Sequence, residues 1–288
     1  MANSTLVNKA ISKRLDKHRL FYVCRDIERA VGGSLDLKNY LIITNKNESS
    51  QTLAKQNSNI IIIKDKNQLD TAELLNHKDT KRHIKPRDFV LVFKNNSIIE
   101  KICKENKWAL LNPKAELAEK VESKVSQVAW LGSLAKYLPP HKIDVCRNIN
   151  WSGKDFVLQF NHSHTGSGVF LIKSKSELEK LKNKFKLRPV RTMAYINGPV
   201  FTNNNVVWGN KTLMGNISYQ ITGLSPFTEN KFTTIGNDFA LPNQILNKKQ
   251  ITRYKKIVTD IGKKLNKNGW KGLFGVDVIM DQATGQLY

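Results

Sequence analysis

The sequence is poor in cysteine and has neither a long apolar run nor an apolar N-terminal segment. Its three cysteines, Cys24, Cys103 and Cys146, are widely spaced and form no Cys-x-x-Cys pair, so neither a disulfide framework nor a zinc site is indicated. No run approaches the roughly 20 apolar residues of a membrane-spanning helix, and the polar first residues lack the apolar core of a secretory signal. We therefore expect a cytoplasmic protein without membrane-spanning segments.

Length and composition are those of an ordinary globular protein. The 288 residues are enough for about two domains, each able to bury its own core. The hydrophobic content of 40% and the charged content of 25% lie in the usual range for soluble proteins. Composition therefore favours a two-domain globular protein.

Positive charge is in large excess. The formal net charge is +23 and the isoelectric point is near 9.9, a balance that favours nucleic acid, anionic lipid or acidic small molecules as partners. The lysines are scattered singly or in pairs, however, without the basic tail or clustered aromatic residues that mark nucleic-acid-binding proteins. We therefore expect the charge mainly to attract anionic small ligands, and nucleic acid is not the favoured partner.

The first part of the chain alternates apolar runs with helical patterns. Unbroken apolar runs, as expected for strands covered on both faces, occupy residues 20–24, 40–44, 60–63, 89–93 and 109–111. Helical patterns lie between or after them, at residues 25–30, 67–77 and 97–106. Strands that alternate with helices predict an α/β domain with an open, parallel, doubly wound sheet. We assign residues 1–113 to this Rossmann-like domain.

The second part of the chain begins with a long helical pattern. Apolar residues spaced for one helix face run through residues 114–138, and Pro139-Pro140 end the pattern. The pattern is compatible with a plain packing helix on which Lys124 is a solvated charge. Further along, residues 206–213 predict a hairpin that turns at Gly209-Asn210, and residues 250–268 predict an amphipathic helix that ends near Gly269.

Residues 156–172, FVLQFNHSHTGSGVFLI, contain two strand-like runs around a polar, glycine-containing loop. The loop, residues 161–168, is too long for a two-residue hairpin turn and too rich in Ser, Thr and Gly for a core segment, so we interpret it as a flap. Small side chains and glycines let backbone N–H groups approach an anion closely, as in phosphate-binding loops. Taken alone, the loop favours an ordinary turn, because most hairpin loops rich in Gly and Ser are only turns.

Four segments in chain order resemble the motifs of the ATP-grasp family. Residues 122–124 (ESK) resemble its short acidic-x-Lys element, and the flap hairpin with residues 173–178 (KSKSEL) resembles the start of its nucleotide-binding half. Residues 191–198 (RTMAYING) resemble the hinge strand, and residues 275–281 (GVDVIMD) resemble the strand that carries the first metal-binding carboxylate. Their order and spacing make the resemblance specific.

The resemblance implies that residues 114–288 form a two-part α+β clamp that holds ATP between two small antiparallel sheets, with Mg²⁺ bridging its phosphates. Lys124 would point at the phosphates, and Asp277 would be a Mg²⁺ ligand. The other ATP contacts implied are Gln159 on the first strand of the hairpin, Thr165, Gly166, Ser167 and Gly168 in the flap, and Met193, Ala194, Tyr195 and Ile196 at the hinge. The family activates a carboxylate as an acylphosphate for attack by an amine or another nucleophile, which implies small-molecule carboxylate and amine substrates.

Asp277 also stands out from its own surroundings. It lies in an apolar strand pattern between Val276 and Val278, and a carboxylate on a mostly buried strand is usually paired or bound to a metal. The alternative is an aspartate at the strand edge that faces water.

The sequence departs from the family pattern at three places. Gln159 stands where the family has a nucleotide-contacting lysine, so the position keeps hydrogen bonding but loses a positive charge. Ala194 replaces the usual acidic residue of the hinge, which leaves main-chain groups to hold the adenine edge. The family's Glu-x-Asn motif, which completes the metal site, is expected shortly after Asp281, whereas the sequence ends at Tyr288. We therefore expect the metal site of this chain to be incomplete.

Three functions remain open at this stage. The first is an ATP-dependent ligase that joins a carboxylate to an amine. The second is a non-catalytic nucleotide-binding module, which Gln159 and Ala194 favour. The third is a basic nucleic-acid-binding protein, which only the net charge favours.

Overall fold

The structure, a computed structural model, describes residues 2–32, 35–161 and 168–288, with side chains from residue 8 onward. The chain divides into two compact units, Met1–Ala118 and Glu119–Tyr288. In the described residues no helix is long and apolar enough to cross a membrane.

The first unit, with the linker helix that leaves it, contains six helices and five strands within the described residues. The helices are α1 (Ala2–Leu15), α2 (Glu48–Ala54), α3 (Thr71–Asn76), α4 (Lys78–His83), α5 (Ser97–Glu105) and α6 (Ala115–Glu122). The strands are β1 (Leu20–Val23), β2 (Tyr40–Asn45), β3 (Ile60–Ile63), β4 (Phe89–Val92) and β5 (Ala109–Leu110).

The five strands of the first unit form one parallel sheet in the order β3-β2-β1-β4-β5. The neighbouring residues Ile42 and Ile43 on β2 are both fully buried, and they belong to separate apolar clusters. Because successive side chains of a strand point to opposite faces, β2 is covered on both sides. The parallel α/β sheet expected from the unbroken apolar runs is thereby confirmed.

The described part of the second unit continues with α7 (Ser126–Leu131), α8 (Lys175–Phe185), α9 (Pro242–Ile245) and α10 (Lys248–Lys267). Its strands are β6 (His141–Val145), β7 (Phe156–Phe160), β8 (Val169–Ile172), β9 (Pro189–Ala194), β10 (Val200–Trp208), β11 (Lys211–Met214), β12 (Ser218–Thr222), β13 (Thr234–Asp238) and β14 (Gly272–Ile279). Short 3-10 helices lie at Ile27–Arg29, Gly132–Tyr137 and Cys146–Asn148.

These strands form two antiparallel sheets, which we call sheet B and sheet C. Sheet B has the order β6-β9-β7-β8, and one of its faces packs on α8 through a core that contains Leu158, Val190 and Leu178. Sheet C has the order β11-β10-β12-β13, with β14 also paired along β10. α10 covers one face of sheet C, where the buried Tyr254 hydroxyl donates to Val276 O at 3.2 Å.

The helix predicted over residues 114–138 is in fact three separate pieces: α6, α7 and a 3-10 helix. The side-chain oxygen of Asn161 accepts hydrogen bonds from the Ser123 hydroxyl and, at 3.0 Å, from the Val125 N–H. These bonds hold the segment between α6 and α7 out of helical register. Gly132, with φ of 55°, then ends α7. The periodicity therefore identified an apolar face but not the breaks in it.

Two other predicted helices are shorter than their patterns. Residues 25–30 form only the 3-10 turn Ile27–Arg29. The pattern at residues 67–77 begins as a helix only at Thr71, because the Asp70 side chain caps that turn by accepting from the Glu73 N–H at 2.9 Å. The hairpin at Gly209-Asn210 and the helix ending before Gly269 form as predicted.

Candidate functional site

Gln159 and Arg191 lie directly opposite each other on β7 and β9 of sheet B. Their strand neighbours Leu158 and Val190 belong to the core on α8, so alternation places Gln159 and Arg191 on the other face. The Arg191 Nε donates to Gln159 Oε1 at 2.9 Å, and its Nη1 donates to Gln127 Oε1 of α7 at 2.9 Å. A guanidinium held by two amide oxygens therefore lies at the position where the family resemblance implies a nucleotide.

Arg191 is buried, with 3% of its surface exposed. Burial lowers the pKa of its guanidinium to about 10, because desolvation disfavours the charged form. Both of its hydrogen-bond partners are neutral amides, so neither offsets the charge. Sequence reasoning missed Arg191 as a site residue, since its hydrogen bond to Gln127 joins residues that are 64 positions apart.

Lys124 lies in the break between α6 and α7, beside the end of β7. Its backbone N–H donates to Asn161 O at 3.4 Å, and the flanking residues Ser123 and Val125 bond to the Asn161 side chain. Since Asn161 directly follows β7 and is the first residue of the flap, this contact joins the acidic-x-Lys element to the start of the flap. Two motifs that are 38 residues apart in sequence are thereby adjacent.

The flap itself is described only at its two ends. Thr165, Gly166 and Ser167, which the resemblance implies as ATP contacts, lie outside the described residues. Gly168 is described, and its carbonyl accepts from the Phe160 N–H at 3.0 Å. The strands on either side, β7 and β8, pair from Phe156↔Ile172 to Gln159↔Val169, as the sequence predicts for a hairpin.

The hinge joins the last strand of sheet B to the first strand of sheet C. Met193 and Ala194 belong to β9, and the Ala194 N–H donates to Pro140 O at 2.9 Å. The Asn197 carbonyl accepts from the Gln282 N–H at 3.0 Å. Between these fixed points, Tyr195 and Ile196 make no backbone–backbone hydrogen bond with any described residue. Their peptide groups are therefore available to a ligand.

Close packing fixes the hinge at Gly198. A Cβ atom at this position would lie 1.9 Å from the Met280 carbonyl oxygen, so only glycine lets the backbone segments approach this closely. The Tyr195 hydroxyl accepts a 2.7 Å hydrogen bond from Lys231 Nζ, in the loop between β12 and β13. That loop therefore rests on the hinge, a contact that sequence reasoning did not anticipate.

Asp277 lies on the open face of sheet C, and the inference that it sits on a mostly buried strand is wrong. β14 alternates: Phe274, Val276 and Val278 are buried, whereas Asp277 is exposed. The reason is that α10 covers only one face of the sheet. The Asp277 Oδ1 accepts a 3.0 Å hydrogen bond from Gln220 Nε2 on β12.

Polar side chains surround Asp277 on this open face. Thr202 on β10 lies directly opposite Asp277, and Ser218 on β12 lies opposite Thr202. The Ser218 hydroxyl lies 3.3 Å from Asn237 Oδ1 of β13. The face thus presents the exposed Asp277 carboxylate and Asn237 amide beside the half-buried Thr202 and Gln220, whereas Ser218 is buried.

Solved structures of ligases share this architecture, although no family model and no curated protein sequence matches the chain. An N5-carboxyaminoimidazole synthetase from Staphylococcus aureus, crystallised with ADP, has a TM-score of 0.62 at 13% identity over 94% of this chain and 69% of that chain. A phosphoribosylamine–glycine ligase from Thermotoga maritima has a TM-score of 0.62 at 15% identity over 94% and 67%. For a D-alanyl-alanine synthetase A from Vibrio cholerae the score is 0.58 at 12% identity over 94% and 87%.

The chain has the ATP-grasp fold. The order of the four motifs along the sequence predicted this fold. At the identities quoted, the likeness carries the fold and does not by itself carry an activity.

Within the ATP-grasp fold, the described side chains fit a nucleotide more completely than they fit a metal ion. Arg191 and Lys124 supply positive charge, and the hinge supplies free peptide groups. No group of three or more His, Cys, Asp and Glu side chains suited to a metal occurs in the part of the chain that the structure describes. Asp277 offers one carboxylate, and Mg²⁺ is commonly held by one or two carboxylates together with substrate phosphates and waters.

Proposed function

We propose that the chain binds ATP with Mg²⁺ and acts as an ATP-dependent ligase that joins a carboxylate to an amine. The observation that carries the proposal is the contact between Asn161 and residues 123–125, which holds Lys124 beside the flap. Lys124 supplies a cation suited to phosphate oxygens, and its backbone is bonded to Asn161, the first residue of the flap. The ligase structures of the same fold support the reaction class.

Each part of the clamp has a proposed role. The peptide groups of Tyr195 and Ile196 hold the adenine edge, which needs one donor and one acceptor. Lys124 and the flap contact the phosphates, and Asp277 ligates Mg²⁺ from the opposite sheet. When bound, Mg²⁺ neutralises phosphate charge and orients the phosphoryl group.

The proposed reaction has two steps. A substrate carboxylate oxygen attacks the γ-phosphorus, and the bond to the β-phosphate oxygen breaks to release ADP. An amine then attacks the carbonyl carbon of the acylphosphate, inorganic phosphate leaves, and the amine gives up a proton. The amide and hydroxyl groups around Asp277, such as Gln220 and Thr202, are placed on the same open face and are proposed to line the side of the acceptor substrate.

A second candidate is a non-catalytic nucleotide-binding module. It is favoured by the surroundings of Asp277. The observed partner of the Asp277 carboxylate is the side-chain amide of Gln220, which donates a hydrogen bond to it and is not a second metal ligand. The amide at Gln159 and the methyl group at Ala194 also replace charged groups of the family pattern. In this role the chain would bind ATP without transferring its γ-phosphoryl group.

The proposal predicts that Lys124→Ala weakens binding of ATP more than binding of AMP. A charge-assisted contact is worth about 1.5 to 3 kcal/mol, which corresponds to a loss of about 10- to 100-fold in ATP affinity by calorimetry. Lys120→Ala is the matched control, because Lys120 is an exposed lysine on α6, four residues before Lys124 in the sequence. An equal loss for ATP and AMP would mean that Lys124 acts through folding or adenine instead.

ADP release distinguishes the ligase from the binding module. Amino acids supply both a carboxylate and an amine, so a panel of them with ATP and Mg²⁺ offers both substrates at once. The ligase predicts amine-dependent release of ADP for at least one member of the panel. ATP binding without any such release, over a panel extended to other carboxylates, would favour the module.

A further inference from the structure

Arg191 is the only buried charged residue in the part of the chain that the structure describes. It lies in the middle of sheet B, because β9 pairs with β6 on one side and with β7 on the other. Its two observed hydrogen bonds go to the side-chain oxygens of Gln159 and Gln127. A guanidinium has five N–H donors, so these bonds use only part of its capacity.

A buried cation with neutral partners is costly to fold. Removing a charge from water is offset only when an opposite charge or a full set of hydrogen bonds replaces the solvent. Burial lowers the pKa of Arg191, and both of its observed hydrogen-bond partners are neutral amides. A protein that only needed packing here would be more stable with an apolar side chain. The arrangement therefore indicates that an anion completes the site.

The neighbours of Arg191 identify the anion. Gln127 belongs to α7, whose preceding residues, including Lys124, are bonded to Asn161. Gln159 lies on β7, two residues before Asn161, which directly follows that strand. Arg191 and Lys124 are thus attached to the same strand end, where the flap begins. A guanidinium with unused donors beside this strand end is suited to the phosphate oxygens of a nucleoside di- or triphosphate, because its planar fork matches them.

We propose that Arg191 contacts a phosphate oxygen of the bound nucleotide and supplies the positive charge that Gln159 lacks. The family pattern has its positive charge at the position of Gln159 on β7, whereas this chain has it at the facing position of β9. The side-chain amides of Gln159 and Gln127 orient the guanidinium. This proposal rests on the proposed function, since it requires that the chain binds a nucleotide. It adds a ligand contact that neither the family motifs nor the sequence pattern assigns.

The first test compares ADP with adenosine by calorimetry, in wild type and Arg191→Gln. ADP affinity should fall by about 10- to 100-fold because a charge-assisted contact is lost, whereas adenosine affinity should stay within about threefold. Arg191→Lys keeps the charge without the fork geometry and should lose less than Arg191→Gln. A purely structural role would instead change ADP and adenosine affinity together.

The second test places the positive charge at position 159 and the neutral amide at position 191. The double variant Gln159→Lys/Arg191→Gln keeps one cation and one amide on the same two facing positions, so the net charge of the pair is that of wild type. It should recover most of the ADP affinity that Arg191→Gln loses. This variant also carries the test if Arg191→Gln alone does not fold.

The outcomes separate the two proposals. If wild type binds ADP, and folded Arg191→Gln binds ADP equally tightly, the contact from Arg191 to phosphate is wrong while nucleotide binding stands. A folded double variant that binds adenosine but not ADP also overturns the proposal. If wild type binds neither ATP nor ADP, the proposed function itself fails.

Discussion

Sheets B and C each carry one charged residue of the candidate site, and the two residues differ in sign and in exposure. On sheet B the positive charge of Arg191 is buried and held by two amide oxygens. On sheet C the negative charge of Asp277 is exposed and accepts a hydrogen bond from the Gln220 amide. Both faces are turned away from the helix that covers the other side of their sheet. The two side chains therefore differ in how firmly each is held in place before a ligand binds.

The comparison predicts that the two sheets determine different properties of ligand binding. A buried guanidinium is pre-organised, so a phosphate oxygen meets a group that has already lost its water and its rotational freedom. An exposed carboxylate keeps its hydration, and a metal ion must displace water to reach it. We therefore expect the face of sheet B to determine nucleotide affinity and the face of sheet C to determine its dependence on Mg²⁺.

The largest expected effect compares a buried residue of sheet B with an exposed residue of sheet C. Leu158, next to Gln159 on β7, is fully buried, so Leu158→Ala should lower the free energy of unfolding by about 2 to 5 kcal/mol. Leu273 on β14 is 68% exposed on the open face of sheet C, and Leu273→Ala should change it by less than about 0.5 kcal/mol. Chemical denaturation measures both. Equal losses of unfolding free energy would mean that the buried Leu158 contributes no more to stability than the exposed Leu273 does.

The next effect concerns the contact that positions Lys124. Asn161→Ala removes the acceptor of the Val125 N–H and of the Ser123 hydroxyl, and Ser123 is buried. Leaving buried donors unpaired should cost about 1 to 3 kcal/mol of stability, and ATP affinity should fall because Lys124 is no longer held by the flap. Exposed Asn183 on α8 supplies the control substitution to Ala. Unchanged ATP affinity in a destabilised Asn161→Ala would separate this contact from nucleotide binding.

The smallest expected effect on stability comes from Asp277→Asn. The side chain is exposed, and the new amide oxygen can still accept from Gln220, so stability should change by less than about 0.5 kcal/mol. The gain in ADP affinity on adding Mg²⁺ should nevertheless shrink, while affinity in EDTA stays the same. Glu229→Gln makes the same charge change on an exposed loop residue. A Mg²⁺ dependence equal to that of wild type would remove Asp277 from the metal site.

Local sequence patterns were sufficient for the parallel sheet and for the hairpins. Unbroken runs such as residues 60–63 need only apolar side chains and strand length to be recognised. The turn at Gly209-Asn210 follows from residues that tolerate a positive φ, and Gly209 has φ of 55°. These features depend on residues that are close in sequence, so a single chain is enough to predict them.

Features that depend on distant residues were not predictable in this way. The break before α7 is caused by Asn161, 38 residues beyond Ser123, and the hydrogen bonds of Arg191 go to partners 32 and 64 residues away. The exposure of Asp277 depends on α10 covering only one face of sheet C. The motif order along the chain predicted the fold correctly, whereas the roles of the individual site residues remain predictions.

Hydrogen–deuterium exchange with and without ATP and Mg²⁺ tests the central claim most directly. If the face of sheet B and the hinge hold the nucleotide, ATP should slow exchange in peptides that cover residues 123–127 and 191–197. Peptides that cover β2 and β3 of the first unit should exchange at the same rate with and without ATP. Unchanged exchange at residues 123–127 and 191–197 under saturating ATP, or protection confined to the first unit, would contradict the account.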